Sequence, residues 1–174
     1  TDYAYGRNAV YPDGHHGNAV LSKYPIKSYR NLDVSITGPE RRGLLHCVLD
    51  VPGHENVHAI CVHLSLLESH RQLQIVLLNQ LLKSLPPDDP VIIAGDFNDW
   101  KEQGNAMLSQ RDDLHEVFER HHGKLARTYP ARWPLLRLDR IYLRNASSHH
   151  PTILGHKPWP HLSDHLPLAV EVHL

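Results

Sequence analysis

Four segments of this sequence carry apolar runs that close on residues able to move protons or hold an anion. They are Val62-His63, Ala94-Gly95-Asp96-Phe97-Asn98, Leu138-Asp139-Arg140 and Ser163-Asp164-His165. A carboxylate can take a proton from water, an imidazole can give or take one near neutral pH, and an amide donates hydrogen bonds without adding charge. Such a set suits hydrolysis of a charged ester, which needs an activated water and stabilised oxygens at the reacting centre.

Each residue alone has a plainer explanation. Asp96 could cap the segment that follows it, Asp139 could pair with Arg140, and His165 could be a surface histidine before a strand. Their convergence on strand ends is what argues for a site, because a rigid sheet positions such residues and leaves them open to solvent.

The elements that must do the positioning read as follows. Gly17 to Ile26 is a short apolar run closed by Pro25, expected to be a buried strand ending in a turn. Gly43–Val51 and Val57–Leu64 read as a hairpin joined by Pro52 to Asn56, a symmetric pairing that sets Cys47 opposite Cys61. From Glu68 to Leu85, the residues Leu73, Val76, Leu77, Leu81 and Leu85 recur at helical spacing before Pro86-Pro87. Val91-Ile92-Ile93-Ala94 is a continuous apolar run, as in strands buried on both faces. A loop and a helix ending near Phe118 are expected next, then a long loop from Thr128 to Arg137, a strand over 138–143, a second loop from His156 to Ser163 and a closing strand over 166–174. Strands interleaved with helices indicate an α/β class, and 174 residues are enough for one domain, 1–174.

Composition excludes several roles. A formal net charge of −1 provides no global basic field, so any phosphate recognition must be local. Two cysteines form neither a disulfide framework nor a zinc spacing; paired as above they would be free thiols in a reducing, cytoplasmic setting, the favoured reading, and could close as a bond in an oxidising compartment. Sixteen histidines would add positive charge on acidification, yet no HExxH pair points to a zinc hydrolase. No transmembrane segment is expected, since no stretch approaches the roughly 20 apolar residues a membrane helix needs.

Taken together, these segments resemble the endonuclease/exonuclease/phosphatase family. Gly17 to Ile26 resembles its GNAxLSxxPI strand, Val62-His63-Leu64 its central histidine strand, and Arg71 with Gln74 the helix that follows. Gly95-Asp96-Phe97-Asn98 resembles its GDFN motif, Leu138 to Ile141 its LDRI strand, and Ser163 to Pro167 its SDHxP signature. Two of these signatures, GDFN and SDHxP, are weak alone but jointly specific in this order, roughly 65 residues apart. The stretches Tyr5 to Pro12 and Ala126 to Pro130 are similar to those of small bacterial members.

The resemblance implies a DNase I-like four-layer α/β sandwich of two mixed sheets flanked by helices, and a divalent-metal-dependent phosphoesterase. Its cofactor would be Mg²⁺, with Mn²⁺ as a substitute. Its substrate would be nucleic acid or a phospholipid or inositol-type phosphodiester. It implies that Asp96 orients or deprotonates water, that Asn98 donates to the phosphate and holds Asp96, and that Asp139 fixes His165. His63 would contact the phosphate from the opposite side, and Asp164 would face the metal. Asn18, Arg127, Arg132, Trp133, Arg137 and Trp159 are candidates for holding the rest of the substrate, by stacking and by charge. Packing against neighbouring elements would explain the same arginines and tryptophans.

Family members also open with a strand bearing an Asn and one ending in a Gln-Glu pair whose Glu binds the metal; neither is in this sequence. The resemblance therefore implies that the principal Glu ligand lies upstream of Thr1. The expectation is an N-terminally incomplete domain lacking about 60 to 80 of about 250 residues, which could leave this chain inactive. A phosphate-binding module of the same fold without turnover is the alternative.

Overall fold

The run Val91-Ile92-Ile93-Ala94 forms the centre of the sheet in the computed structural model, which describes residues 1–174. Strand β6 (Val91–Asp96) lies between β5 (His54–His63), to which it is parallel, and β8 (Asp139–Arg144), to which it is antiparallel. Beyond β5 come β4 (Gly43–Val51) and β3 (Ile26–Asp33), and beyond β8 the two-residue β7 (His115–Glu116), giving a mixed sheet of order β3-β4-β5-β6-β8-β7. Alternation sends Val91 and Ile93 to one core and Ile92 and Ala94 towards another, so this strand is covered on both sides as its apolar run requires.

On the first face lies helix α1 (Glu68–Ser84), with Ile75, Leu78 and Leu82 packed among Leu44, Ile60, Val62 and Ile93. The helix is where expected, but it is rotated from the apolar stripe read in the sequence. Leu81 and Leu85 are buried as expected, but Leu73, Val76 and Leu77 are exposed, and the buried stripe within the helix is Arg71, Gln74, Ile75, Leu78, Leu81 and Leu82. Two polar residues set this rotation. Gln74 accepts from the Ser65 N–H at 2.8 Å and donates to the Val34 carbonyl at 3.1 Å, while Arg71 donates to the carbonyls of Ser65 and Leu66. Once those groups are buried and bonded, the residues three and four further along must face the core.

On the second face are two hairpins, β1 (Asp2–Tyr11) with β2 (Gly14–Ser22), and β9 (Ser147–Ile153) with β10 (Leu168–His173). Ala4 packs with Leu45 and Cys47, and Val170 and Val172 pack against Val117, Phe118, Ile141 and Leu143. The result is a mixed α/β architecture with one six-stranded mixed sheet and two separate two-stranded sheets. Instead of a buried run, β2 has only Asn18 and Ser22 buried, because it pairs with β1 alone and packs through one face. The segment after Asp96 holds two short helices, α2 (Gln103–Leu108) and α3 (Val117–His122), in place of the single helix expected.

The β4–β5 connection corrects the cysteine pairing. The loop is the two residues Pro52-Gly53, with Gly53 at φ 87° and Val51 paired with His54. Proline followed by a glycine at positive φ makes a tight turn that pairs Val51 with His54, and the irregularity between Leu49 and Val51 gives one residue back, so the register beyond it differs by two from that of a five-residue loop. Cys47 therefore faces Ala59, and Cys61 faces Leu45. Both are free thiols, and burial, with the neighbouring Cys61, pushes the Cys47 thiol up to about 11. No helix is long and apolar enough to cross a membrane.

Candidate active site

Register brings the first three residues together. His63 ends β5 opposite Asp96 at the end of β6, and Asp96 lies opposite Asp139 at the start of β8. Neighbouring strands are about 4.8 Å apart, so three consecutive strands hold His63, Asp96 and Asp139 in a row. The Nε2 of His63 is 3.6 Å from Asp96 Oδ2. The fourth residue arrives by a loop: His165 Nδ1 lies 2.7 Å from Asp139 Oδ2. That loop is tied to the Thr128–Leu136 segment by Ala131 N–H donating to the Asp164 carbonyl at 2.7 Å and Leu166 N–H to the Thr128 carbonyl at 2.9 Å. The same segment places the Tyr129 ring with its centroid 4.9 Å from that of His165.

The turn after Asp96 is held by backbone and buried charge. A Cβ on Gly95 would lie 2.0 Å from the Val62 carbonyl oxygen, so only glycine lets these strands approach here. Asn98 adopts φ 50°, and its N–H donates to Asp96 Oδ1 at 2.8 Å. Its side-chain amide donates to the Leu64 carbonyl at 2.9 Å. Asn98 thus holds Asp96 through its backbone, and one of its amide hydrogens is committed to the scaffold. Next to it Asp99, fully buried, meets Arg140 Nη1 at 2.9 Å and Arg71 Nε at 3.6 Å. Arg71 in turn lies under the Trp100 ring, 4.8 Å from its centroid.

The electrostatics of the row are uneven. Burial, reinforced by the facing Asp139, pushes the Asp96 carboxyl up to about 6, against the Asn98 N–H and the His165 and Arg42 charges. Burial, with the charges of Arg42, His16 and His165, pushes His63 down to about 4, so it is neutral near pH 7. His165 moves the other way. Its hydrogen bond to Asp139 outweighs desolvation and raises it, favouring the imidazolium.

One cleft of about 570 Å³ contains His63, Asp96, Asn98, Asp139, Asp164 and His165. It is also lined by Arg42, Trp100 and Tyr129, which sequence reading passed over. Arg42 pairs with Glu40 at 2.8 Å and adds a cation beside His63. Nothing in its local sequence distinguishes it from the neighbouring Arg41; only burial does. Tyr129 sits within a stretch noted for its likeness to bacterial members, a signal that pointed to the segment and not to the ring.

The candidate substrate residues disperse. Asn18 is buried in the sheet, its amide donating to the carbonyls of Gly43 at 2.8 Å and Cys61 at 3.0 Å. Arg127 and Arg137 line a separate pocket with Phe118, Lys124 and Ile153, and Arg137 also pairs with Glu102 at 2.6 Å. Arg132 borders another hollow with His161 and Asp164. Trp133 stands 73% exposed, and Trp159 opens a single 3-10 turn, Trp159–His161, half in solvent.

The carboxylates present fit a divalent cation. Asp96 and Asp139 each offer an oxygen, within 4.8 Å of one another and of His165, and Asp164 borders the same cleft. Carboxylate oxygens are the donors hard cations such as Mg²⁺ prefer, and two facing carboxylates are a charge arrangement a cation relieves. The cleft is lined by aspartates and by no glutamate. Thr1, upstream of which the resemblance sets the principal Glu ligand, is exposed just before β1 and does not line the cleft.

Residues 1–165 match the model of the Endonuclease/Exonuclease/phosphatase family. The uncharacterized protein YbhP of Escherichia coli (strain K12) is 54% identical over 175 residues, covering 100% of this chain and 69% of that protein. The structure of D. rerio TDP2 complexed with single strand DNA product superposes with TM-score 0.80 at 19% identity, over 99% of this chain and 77% of that one. The endonuclease/exonuclease/phosphatase from Bacteroides vulgatus superposes with TM-score 0.77 at 17% identity, over 99% and 76%. At such identities these structural likenesses speak for the fold.

Proposed function

Because the chain belongs to the endonuclease/exonuclease/phosphatase family, whose members generally act hydrolytically on phosphoester bonds, we propose that it is a divalent-metal-dependent phosphodiesterase working by attack of water on phosphorus. One observation carries this reading: six polar residues from four distant segments meet in one cleft around the 2.7 Å contact of Asp139 with His165. Mg²⁺, or Mn²⁺ in its place, would be held by Asp164 with the nearby carboxylates, and when bound would neutralise phosphate charge.

The chain's own groups account for the rest. Asp96, held by the Asn98 N–H, accepts a proton from water as its oxygen forms a bond to phosphorus and the bond to the leaving oxygen breaks. Protonated His165, kept so by Asp139, donates to a phosphoryl oxygen where negative charge accumulates. Neutral His63 donates from the other side of the cleft without adding charge. The second amide hydrogen of Asn98 remains for the phosphate.

Local cations rather than a global basic field support a substrate held near its reacting phosphate: nucleic acid, or a phospholipid or inositol-type phosphodiester. The test is a screen with Mg²⁺ and Mn²⁺ against bis-p-nitrophenyl phosphate, plasmid DNA, RNA, sphingomyelin and inositol phosphates. We expect turnover that falls roughly 10²-fold or more in Asp96→Asn. Binding without turnover of any of these would favour a phosphate-binding module instead.

A further inference from the structure

Outside the cleft, strands β9 and β10 carry His149, His150 and His173. His149 pairs directly across the ladder with Glu171, and His173 pairs with Ser147. Residues opposite each other share a face, as do residues two apart on one strand, so His149, Glu171 and His173 project from the same side. That side is the outer one: all three are exposed, while the alternating Val170 and Val172 turn inwards onto Val117, Phe118 and Leu143.

The two imidazole rings meet edge-on across the ladder. Their centroids are 4.6 Å apart, with the ring planes at 66°. Two imidazole nitrogens bound to one tetrahedral zinc at about 2.0 to 2.1 Å would set the centroids about 5 Å apart. We propose that His149, His173 and Glu171 form a surface site for a borderline transition cation, Zn²⁺, Ni²⁺ or Cu²⁺, distinct from the phosphoesterase cleft.

The chemistry separates the two sites. Nitrogen donors with one carboxylate suit these cations, whereas the carboxylate-rich cleft suits Mg²⁺. The two imidazoles lie side by side, and the exposed Glu171, paired across the ladder from His149, is on the same face to supply an oxygen. Water would complete the shell, since the face is open. A bound ion would staple β9 to β10, the strand that follows directly on the loop bearing Asp164 and His165, and would stabilise the folded chain by binding it alone.

The experiment is calorimetric titration of chelator-stripped protein with Zn²⁺ and Ni²⁺ in excess Mg²⁺, on wild type, His149→Ala/His173→Ala, Glu171→Gln and His165→Ala. Thermal melts with and without Zn²⁺ would accompany it. The double variant should bind one equivalent fewer and lose the Zn²⁺-induced rise in Tm belonging to it. Glu171→Gln should weaken that equivalent roughly tenfold or more, as loss of an outer-sphere partner alone typically does. His165→Ala should retain it. The idea is overturned if the double variant binds as many equivalents as wild type, or if the equivalent vanishes in His165→Ala, which would locate the ion in the cleft. Because His149, Glu171 and His173 are on an exposed face, circular dichroism should show unchanged folding of their variants, and the result stands whether or not the protein hydrolyses any ester.

Discussion

His165 reaches Asp139 across 26 residues of chain to make a 2.7 Å contact between Nδ1 and Oδ2, and this contact sets the charge on the imidazole. A histidine held by a carboxylate has its tautomer fixed and its protonated form favoured, so the two residues should act as a unit. On the screen substrate that proves active, Asp139→Asn and His165→Ala should each lower kcat on the order of 10²-fold. The double variant should be little worse than the poorer single one, because effects within one unit are not additive. Simple multiplication of the two losses in steady-state kinetics would refute the coupling.

Asp99 presents a different case, one of stability. It is fully buried between Arg140 and Arg71, themselves buried. Replacing it with Asn removes the compensating charge and leaves two guanidinium groups without it, which costs about 3 to 5 kcal/mol in such settings. Urea unfolding of Asp99→Asn should show a loss of that order. A loss below about 1 kcal/mol would mean the guanidinium groups are satisfied by their carbonyl contacts alone.

A second buried network, remote from the cleft, makes stability depend on acid. His46 Nε2 lies 2.8 Å from His58 Nδ1, and His58 Nε2 lies 3.0 Å from Asp89 Oδ2. Burial first, then the charges of His58 and Arg30, pushes His46 down to about 4. The unfolded chain takes up this proton near pH ~6.5, whereas the folded chain resists until about 4, so the unfolded state binds more protons in between. Stability is therefore full above pH ~6.5 and falls as pH drops towards 4, by on the order of 3 kcal/mol from this group. His46→Gln, which keeps a hydrogen-bonding side chain and removes the titration, should flatten the loss between pH 7 and pH 4.5 in denaturant melts. An unchanged slope would assign acid sensitivity to other groups, His63 among them.

Local sequence by itself determined the α/β class, the centre of the sheet and most of the cleft. A short apolar run such as Val91 to Ala94, bounded by Pro90 and Gly95, suits a strand covered on both sides, and a polar residue just past it, such as Asp96, comes at the strand's end. His63, Asp139 and His165 were legible for the same reason, since each closes or precedes a run whose period is local. What depended on partners distant in sequence was decided only by the tertiary structure. The Cys47 register turned on a two-residue turn, and the face of α1 turned on the bonds of Gln74 and Arg71 to a strand and a loop. Arg42 and Tyr129 joined the cleft through burial and stacking that no spacing announces, while Arg127, Arg137 and Asn18 left it for a side pocket and the sheet interior. Hydrophobic period follows from geometry within one element; side-chain direction across elements follows from which buried polar groups find partners, and those partners are chosen only when the chain has folded.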